Sequence, residues 1–151
     1  MTDPLEAMVL HALDMIDAER AADAEAICRR VLAKAPHYPH ALRVISNALF
    51  LQRKYAAAEH YALLAEQHAP KNDTHFLYSL ARQLRQLGPN ERVTRVFRKC
   101  VALDPTEKEY HIGLTENLLA MDEHTEAAAA ARAGIAHVPT SPDLRFNGVI
   151  A

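Results

Sequence analysis

The chain has 151 residues, with 17 Lys and Arg against 19 Asp and Glu, half of its residues hydrophobic, 4 Gly and no Trp. A net charge of −2 gives no electrostatic basis for gripping nucleic-acid phosphates or an anionic membrane surface, since both need clustered positive charge. The hydrophobic share is largely Ala, while Gly and β-branched residues are scarce, which argues against sheet and for close-packed helices in one compact domain spanning 1–151.

Met1-Thr2-Asp3-Pro4-Leu5-Glu6 lacks the basic start and long apolar run of an export signal. No apolar run approaches the roughly 20 residues of a membrane span, so the chain reads as cytoplasmic. Asp3 before Pro4 is an N-cap followed by proline at the first helical position, and it begins the first helix. A polar turn at Ala18-Glu19-Arg20 separates this helix from a second, which ends on VLAKAP at Pro36. The next stretch turns at Gln52-Arg53-Lys54 and closes on LAEQHAP at Pro70. A third is broken by the tight turn Gly88-Pro89-Asn90 and closes on VALDP at Pro105. A fourth turns at Asp122-Glu123-His124, runs through the helix-forming packing surface Ala127 to Ala131 and closes on IAHVP at Pro139. Ser141-Pro142-Asp143 then caps a short helix over 142–151 carrying Leu144, Phe146, Val149 and Ile150. That helix is expected to dock on the last pair and leave Val149 or Ile150 partly exposed, as the start of a fifth unit or as a surface for a second copy.

The closing prolines are separated by 34, 35 and 34 residues, which divides the chain into units at 5–38, 39–72, 74–107 and 108–141, with Asp73 as a one-residue insertion. Three further columns hold small or moderate residues. The eighth position is Ala12, Ser46, Ala81 and Thr115; the twentieth is Ala24, Ala58, Val93 and Ala127; the twenty-seventh is Val31, Ala65, Cys100 and Gly134. Antiparallel helices approach closely only where both present small side chains, so fixed columns of them imply a repeated helix pair. Larger apolar residues stand in neighbouring columns, Met8, Leu42 and Leu77 in the fourth and Met15, Leu49, Leu84 and Leu118 in the eleventh.

In these residues the chain resembles tetratricopeptide repeat (TPR) proteins over 5–141. The second unit matches best, through Gln52-Arg53-Lys54-Tyr55-Ala56-Ala57-Ala58-Glu59 and Pro70, and the third keeps Leu87-Gly88 at the turn. The aromatic expected at the fourth position is missing from every unit, and the eighth-position Gly is never present. The resemblance implies an all-α, right-handed superhelical solenoid of stacked helix pairs with one concave face.

The search for chemistry finds little. Nine histidines include no HExxH and no pair spaced i, i+4; His37 and His40 flank a turn, and His11 and His111 fall in core columns. Cys28 and Cys100 belong to no ligand spacing and are expected as buried free thiols. Candidate nucleophiles Cys28, Cys100, Ser46 and Ser79 lie mid-helix, and no GxGxxG, GxxxxGKS or GxSxG is present, so no enzyme activity, cofactor or metal is expected.

What is left is surface. In the TPR arrangement the groove is lined by the second, fifth, ninth, twelfth and thirteenth positions, here Glu6, Val9, Leu13, Ile16 and Asp17; His40, Arg43, Asn47, Phe50 and Leu51; His75, Tyr78, Arg82, Arg85 and Gln86; Glu109, Ile112, Glu116, Leu119 and Ala120. Its middle, Arg43, Asn47, Tyr78 and Arg82, offers forked and bidentate donors beside a rigid aromatic, while both ends are apolar and acidic. The expected peptide-binding residues are Arg43, Asn47, Phe50, Tyr78, Arg82, Arg85, Ile112 and Glu116. A two-carboxylate clamp of the kind some TPR domains use would match Arg43 and Asn47, but Ser79, Glu109 and Gly113 stand where it needs Asn and two basic residues, and a register from Val9 and Leu13 fails at once. The resemblance therefore implies a protein-interaction module that holds a peptide or protein segment. The alternatives are the substrate-recruiting N-terminal domain of a larger bacterial glycosyltransferase, sulfotransferase or methyltransferase, and a self-assembling scaffold whose copies meet through the C-terminal helix.

Overall fold

The computed structural model describes residues 3–138, so the expected C-terminal helix at 142–151, its cap at Ser141 and the closing Pro139 lie outside the described residues. Among the described residues there are eight helices and no strand. They are α1 (Pro4–Asp17), α2 (Ala21–Lys34), α3 (Pro39–Leu51), α4 (Tyr55–Gln67), α5 (Thr74–Gln86), α6 (Glu91–Leu103), α7 (Lys108–Ala120) and α8 (His124–His137). Each repeat unit holds one pair, and the connections inside the pairs, three residues long in the first, second and fourth and four residues (87–90) in the third, reverse the chain.

Helix starts follow capping chemistry. The Asp3 carboxylate accepts from the Leu5 N–H at 3.1 Å with Pro4 in the first helical turn. Asp73, the residue inserted into the register, caps α5 by accepting from the Phe76 N–H at 3.0 Å. Asn90 caps α6, its side-chain oxygen accepting from the Arg92 and Val93 N–H groups at 2.9 and 3.2 Å.

The turns inside the pairs repeat one backbone device. Glu19, Arg53, Gly88 and Asp122 stand at equivalent positions, and all have positive φ, between 59° and 127°. In three turns the next residue's N–H bonds back to the carbonyl five residues earlier: Arg20 to Met15 at 2.8 Å, Lys54 to Leu49 at 2.9 Å and Glu123 to Leu118 at 2.9 Å. This is a Schellman closure. The third turn cannot make that bond, because Pro89 has no N–H, and there Gly88 supplies the left-handed residue without steric cost.

All twelve residues of the three small columns are buried, nine of them hydrophobic, together with Gly134, Ser46 and Thr115. Ser46 satisfies its hydroxyl by donating to the Ala58 carbonyl at 2.7 Å, so a polar residue sits at the crossing without an orphaned group. Leu42, Leu49, Leu77, Leu84 and Leu118 fill the space between, each buried. Gly113 permits one further close approach: a Cβ there would lie 2.6 Å from Cζ of the buried Phe97 ring. No basic clamp residue fits at that position. Cys28 and Cys100 are buried free thiols, each pushed up to about 12 chiefly by burial.

The helices group into two compact units, α1–α4 up to Lys71 and α5–α8 from Asn72. Within each unit every helix lies against the next, and the two first helices of the pairs, α1 with α3 and α5 with α7, also touch. Each unit thus has one face made by first helices.

The first unit is further tied by Glu25 on α2. Its carboxylate accepts from Arg29 at 2.8 Å, from the Gln52 amide at 2.9 Å and from Lys54 at 3.2 Å. Burial raises its pKa, but the hydrogen bonds from Arg29, Gln52 and Lys54 outweigh burial and hold it below 4.5. A carboxyl depressed in the folded state stabilises above its unfolded value and loses that contribution as pH falls through the folded one. The Glu25→Gln variant is therefore expected to unfold at lower urea than wild type at pH 7, with the difference closing in acid; a constant difference would contradict the assignment.

Substitutions at crossing and turn should move stability in opposite directions. Ala58→Arg, which forces a long charged side chain into a fully buried crossing, is expected to cost about 3 kcal/mol or more. Arg53→Gly relieves a left-handed non-glycine residue and is expected to gain about 0.5–1 kcal/mol. Urea midpoints of the two variants check both signs.

Candidate functional site

On the face of α1 and α3 the first unit holds a cleft of about 390 Å³, lined by Glu6, Val9, Leu10 and Leu13 from α1 and by Tyr38, His40 and Arg43 from the start of α3. Helical spacing puts Glu6, Leu10 and Leu13 on one stripe, and Pro39 at the first turn of α3 sets Tyr38 at its N-cap. Leu10 is 52% exposed, the largest exposure of any large hydrophobic residue described. Burial pushes the Tyr38 phenol up, and the charges of Asp3 and Glu6 push it the same way.

Five of the groove positions expected in this unit, Glu6, Val9, Leu13, His40 and Arg43, come together in the cleft. Leu10 and Tyr38 complete it and were not expected, because neither occupies a groove column of the repeat. The signal for Leu10 was its place four residues after Glu6 and three before Leu13. Asn47 and Phe50 follow further along α3, both half-buried and outside the lining. The Phe50 ring lies 5.5 Å from that of Tyr55.

In the second unit the face of α5 and α7 is built on an aromatic pair. Tyr78 and Tyr110 have ring centroids 5.3 Å apart, and Tyr78 also meets Phe97 edge-on at 6.2 Å. The exposed Arg82 guanidinium sits 5.7 Å from the Tyr78 centroid and has no carboxylate partner among the described residues. The Tyr78 phenol is pushed up by burial, drawn down by Arg82 and raised again by Glu109, Glu107 and Glu116. Arg85 and Glu116 hold each other at 3.0 Å across the two helices, both partly exposed, and Ile112 is half-buried on α7.

Away from these faces, a second cleft of about 350 Å³ lies beside α6 and α8, floored by His111 and Leu114 and spanned by the Arg98–Glu126 ion pair at 3.1 Å. His111 is buried, its Nε2 2.6 Å from the Pro105 carbonyl. His11 is exposed, contrary to its expected core column. The equivalent Ile45 on α3 is buried, and α3 packs on the preceding pair through α2, whereas α1 has no preceding pair among the described residues. The His37 and His68 rings stack at 4.2 Å, which aims their nitrogens along parallel planes and not at a common point. No group of three or more His, Cys, Asp or Glu that could hold a metal occurs among the described residues, and no described helix is long and apolar enough to cross a membrane.

Repeated helix pairs closed by small residues, each with a first-helix face, define the TPR fold, and the chain has that fold. No protein-family model and no curated protein matches its sequence. Solved structures do. YrrB, described as a TPR protein with an unusual peptide-binding site, superposes with a TM-score of 0.72 at 17% identity, over 95% of this chain and 73% of YrrB. A double mutant of MamA RS-1 gives 0.72 at 14% identity, over 99% and 86%. A mutant of the Thermobaculum terrenum O-GlcNAc transferase gives 0.65 at 23% identity, over 89% of this chain and 27% of that enzyme.

Proposed function

We propose that the protein is an interaction module that binds a peptide or extended protein segment on the first-helix faces of its repeats. The observation that carries this reading is the cleft on α1 and α3, where a half-exposed leucine stands over a volume within the range of about 300–1,000 Å³ usual for ligand pockets. Buried apolar anchors dominate the energetics of such surfaces, and rigid aromatics with Arg accompany them. Arg43, Asn47 and Phe50 serve the first unit. Tyr78, Arg82, Arg85, Ile112 and Glu116 serve the second, Arg85 and Glu116 being free to exchange their exposed mutual bridge for a partner's charge at little cost. YrrB, whose name includes a peptide-binding site, supports the class of partner.

The test is a peptide array probed with the full chain, followed by the same array with the exposed Leu10→Ser and Arg82→Glu combined. Loss of the bound peptides at an unchanged melting temperature is expected. Retention of every peptide would move binding to the second-helix side.

A second reading, in which the repeats recruit substrates for an enzyme encoded with them, is favoured by the match to the O-GlcNAc transferase, 27% of which this chain covers. It requires an open reading frame that continues past Ala151 into a transferase sequence. A self-assembling scaffold would instead show a concentration-dependent mass in sedimentation.

A further inference from the structure

Glu6, Leu10 and Leu13 line the cleft on one stripe of α1, and Asp17 continues that stripe one turn beyond the lining, at spacings of four, three and four, so the apolar pair is bracketed along the helix by a carboxylate on either side. Residues 3–19 carry Asp3, Glu6, Asp14, Asp17 and Glu19 and no Lys or Arg. All five carboxylates are exposed, and none forms an ion pair among the described residues. Arg43, with His40 beside it, stands on the opposite wall.

We propose that this cleft takes a basic peptide segment with one apolar anchor, a Leu- or Phe-sized side chain seated on Leu10, Leu13 and Tyr38, flanked by Lys or Arg that meet Glu6 and Asp17. The proposal rests on the reading of the first-helix faces as binding surface and names the partner chemistry of the first unit. Eleven residues of helix separate Glu6 from Asp17, about 16 Å at 1.5 Å per residue. An extended chain covers that distance in about five residues at roughly 3.3 Å each. The motif is therefore a cation, an anchor two or three residues on, and a second cation two or three residues beyond it. The apolar contact provides residence, and the paired carboxylates provide register and rejection of acidic segments.

The probe is a fluorescein-labelled peptide with one Phe between two Lys at that spacing on a Gly/Ser background. It is compared by anisotropy with twins carrying Glu for Lys or Ser for Phe. The full chain is expected to prefer the lysine peptide over the glutamate twin at least tenfold at low salt, and to lose that preference near 1 M salt, where the Debye length is about 3 Å. Glu6→Lys with Asp17→Lys should invert the charge preference, and Leu10→Ser should erase the difference between Phe and Ser. All three substituted positions are exposed, and circular dichroism melting should be unchanged.

Equal or tighter binding of the glutamate twin overturns the proposal. So does lysine-peptide binding that survives the α1 variants and is lost in Arg82→Glu, although the first-helix reading then stands. Absence of binding by every peptide overturns this proposal and leaves the first-helix reading to the peptide array. Self-association that Leu10→Ser abolishes assigns the cleft to a second copy and equally contradicts the proposal.

Discussion

Everything in this fold depends on how closely two helices can approach. A crossing lined by Ala24 and Ala12, or by Ala58 and Ser46, brings backbones together so that large neighbours such as Leu42 and Leu49 interlock around it and water is excluded. A larger side chain at the crossing would prise the pair apart and open the space that those neighbours fill. The size limit recurs at every helix pair, so the sequence records it as columns at a fixed period. The short turns follow from the same limit, since helices that lie this close must be joined by a tight reversal.

The first-helix faces are a by-product of that arrangement. First helices lie side by side within each unit, so whatever they present outward forms a surface with a fixed backbone, at low entropic cost to a partner. In the first unit that surface is apolar, with Glu6 on α1 and His40 and Arg43 on α3; in the second it is an aromatic pair beside an arginine. The tie at Glu25, between α2 and the end of α3, holds the first pair to the second by charge-assisted hydrogen bonds.

Helix pairs and crossings were legible in the sequence because size and proline act through covalent geometry, which needs no context. The left-handed turn residues at Glu19, Arg53 and Asp122 were not, since only Gly88 carries the chemical sign of that conformation and the other three adopt it under tertiary constraint. His11 is exposed where the equivalent Ile45 is buried, because among the described residues no preceding pair covers α1. The cleft was half legible: its repeat positions gave Glu6, Val9, Leu13, His40 and Arg43, while Leu10 and Tyr38 depend on where α1 and the start of α3 meet. Pairings such as Arg85 with Glu116 are decided by side-chain reach across helices, which column arithmetic does not contain.

Residue-resolved hydrogen exchange of the native protein tests most directly whether the small-residue crossings hold the molecule together. Amides at Ala24, Ala58, Ala65, Val93 and Ala127 are predicted to exchange slowest, near the limit set by global unfolding, and those on exposed helix faces such as Ala26 and Arg98 to exchange by smaller local openings. Crossing amides that exchange as fast as Ala26 and Arg98 would contradict the account.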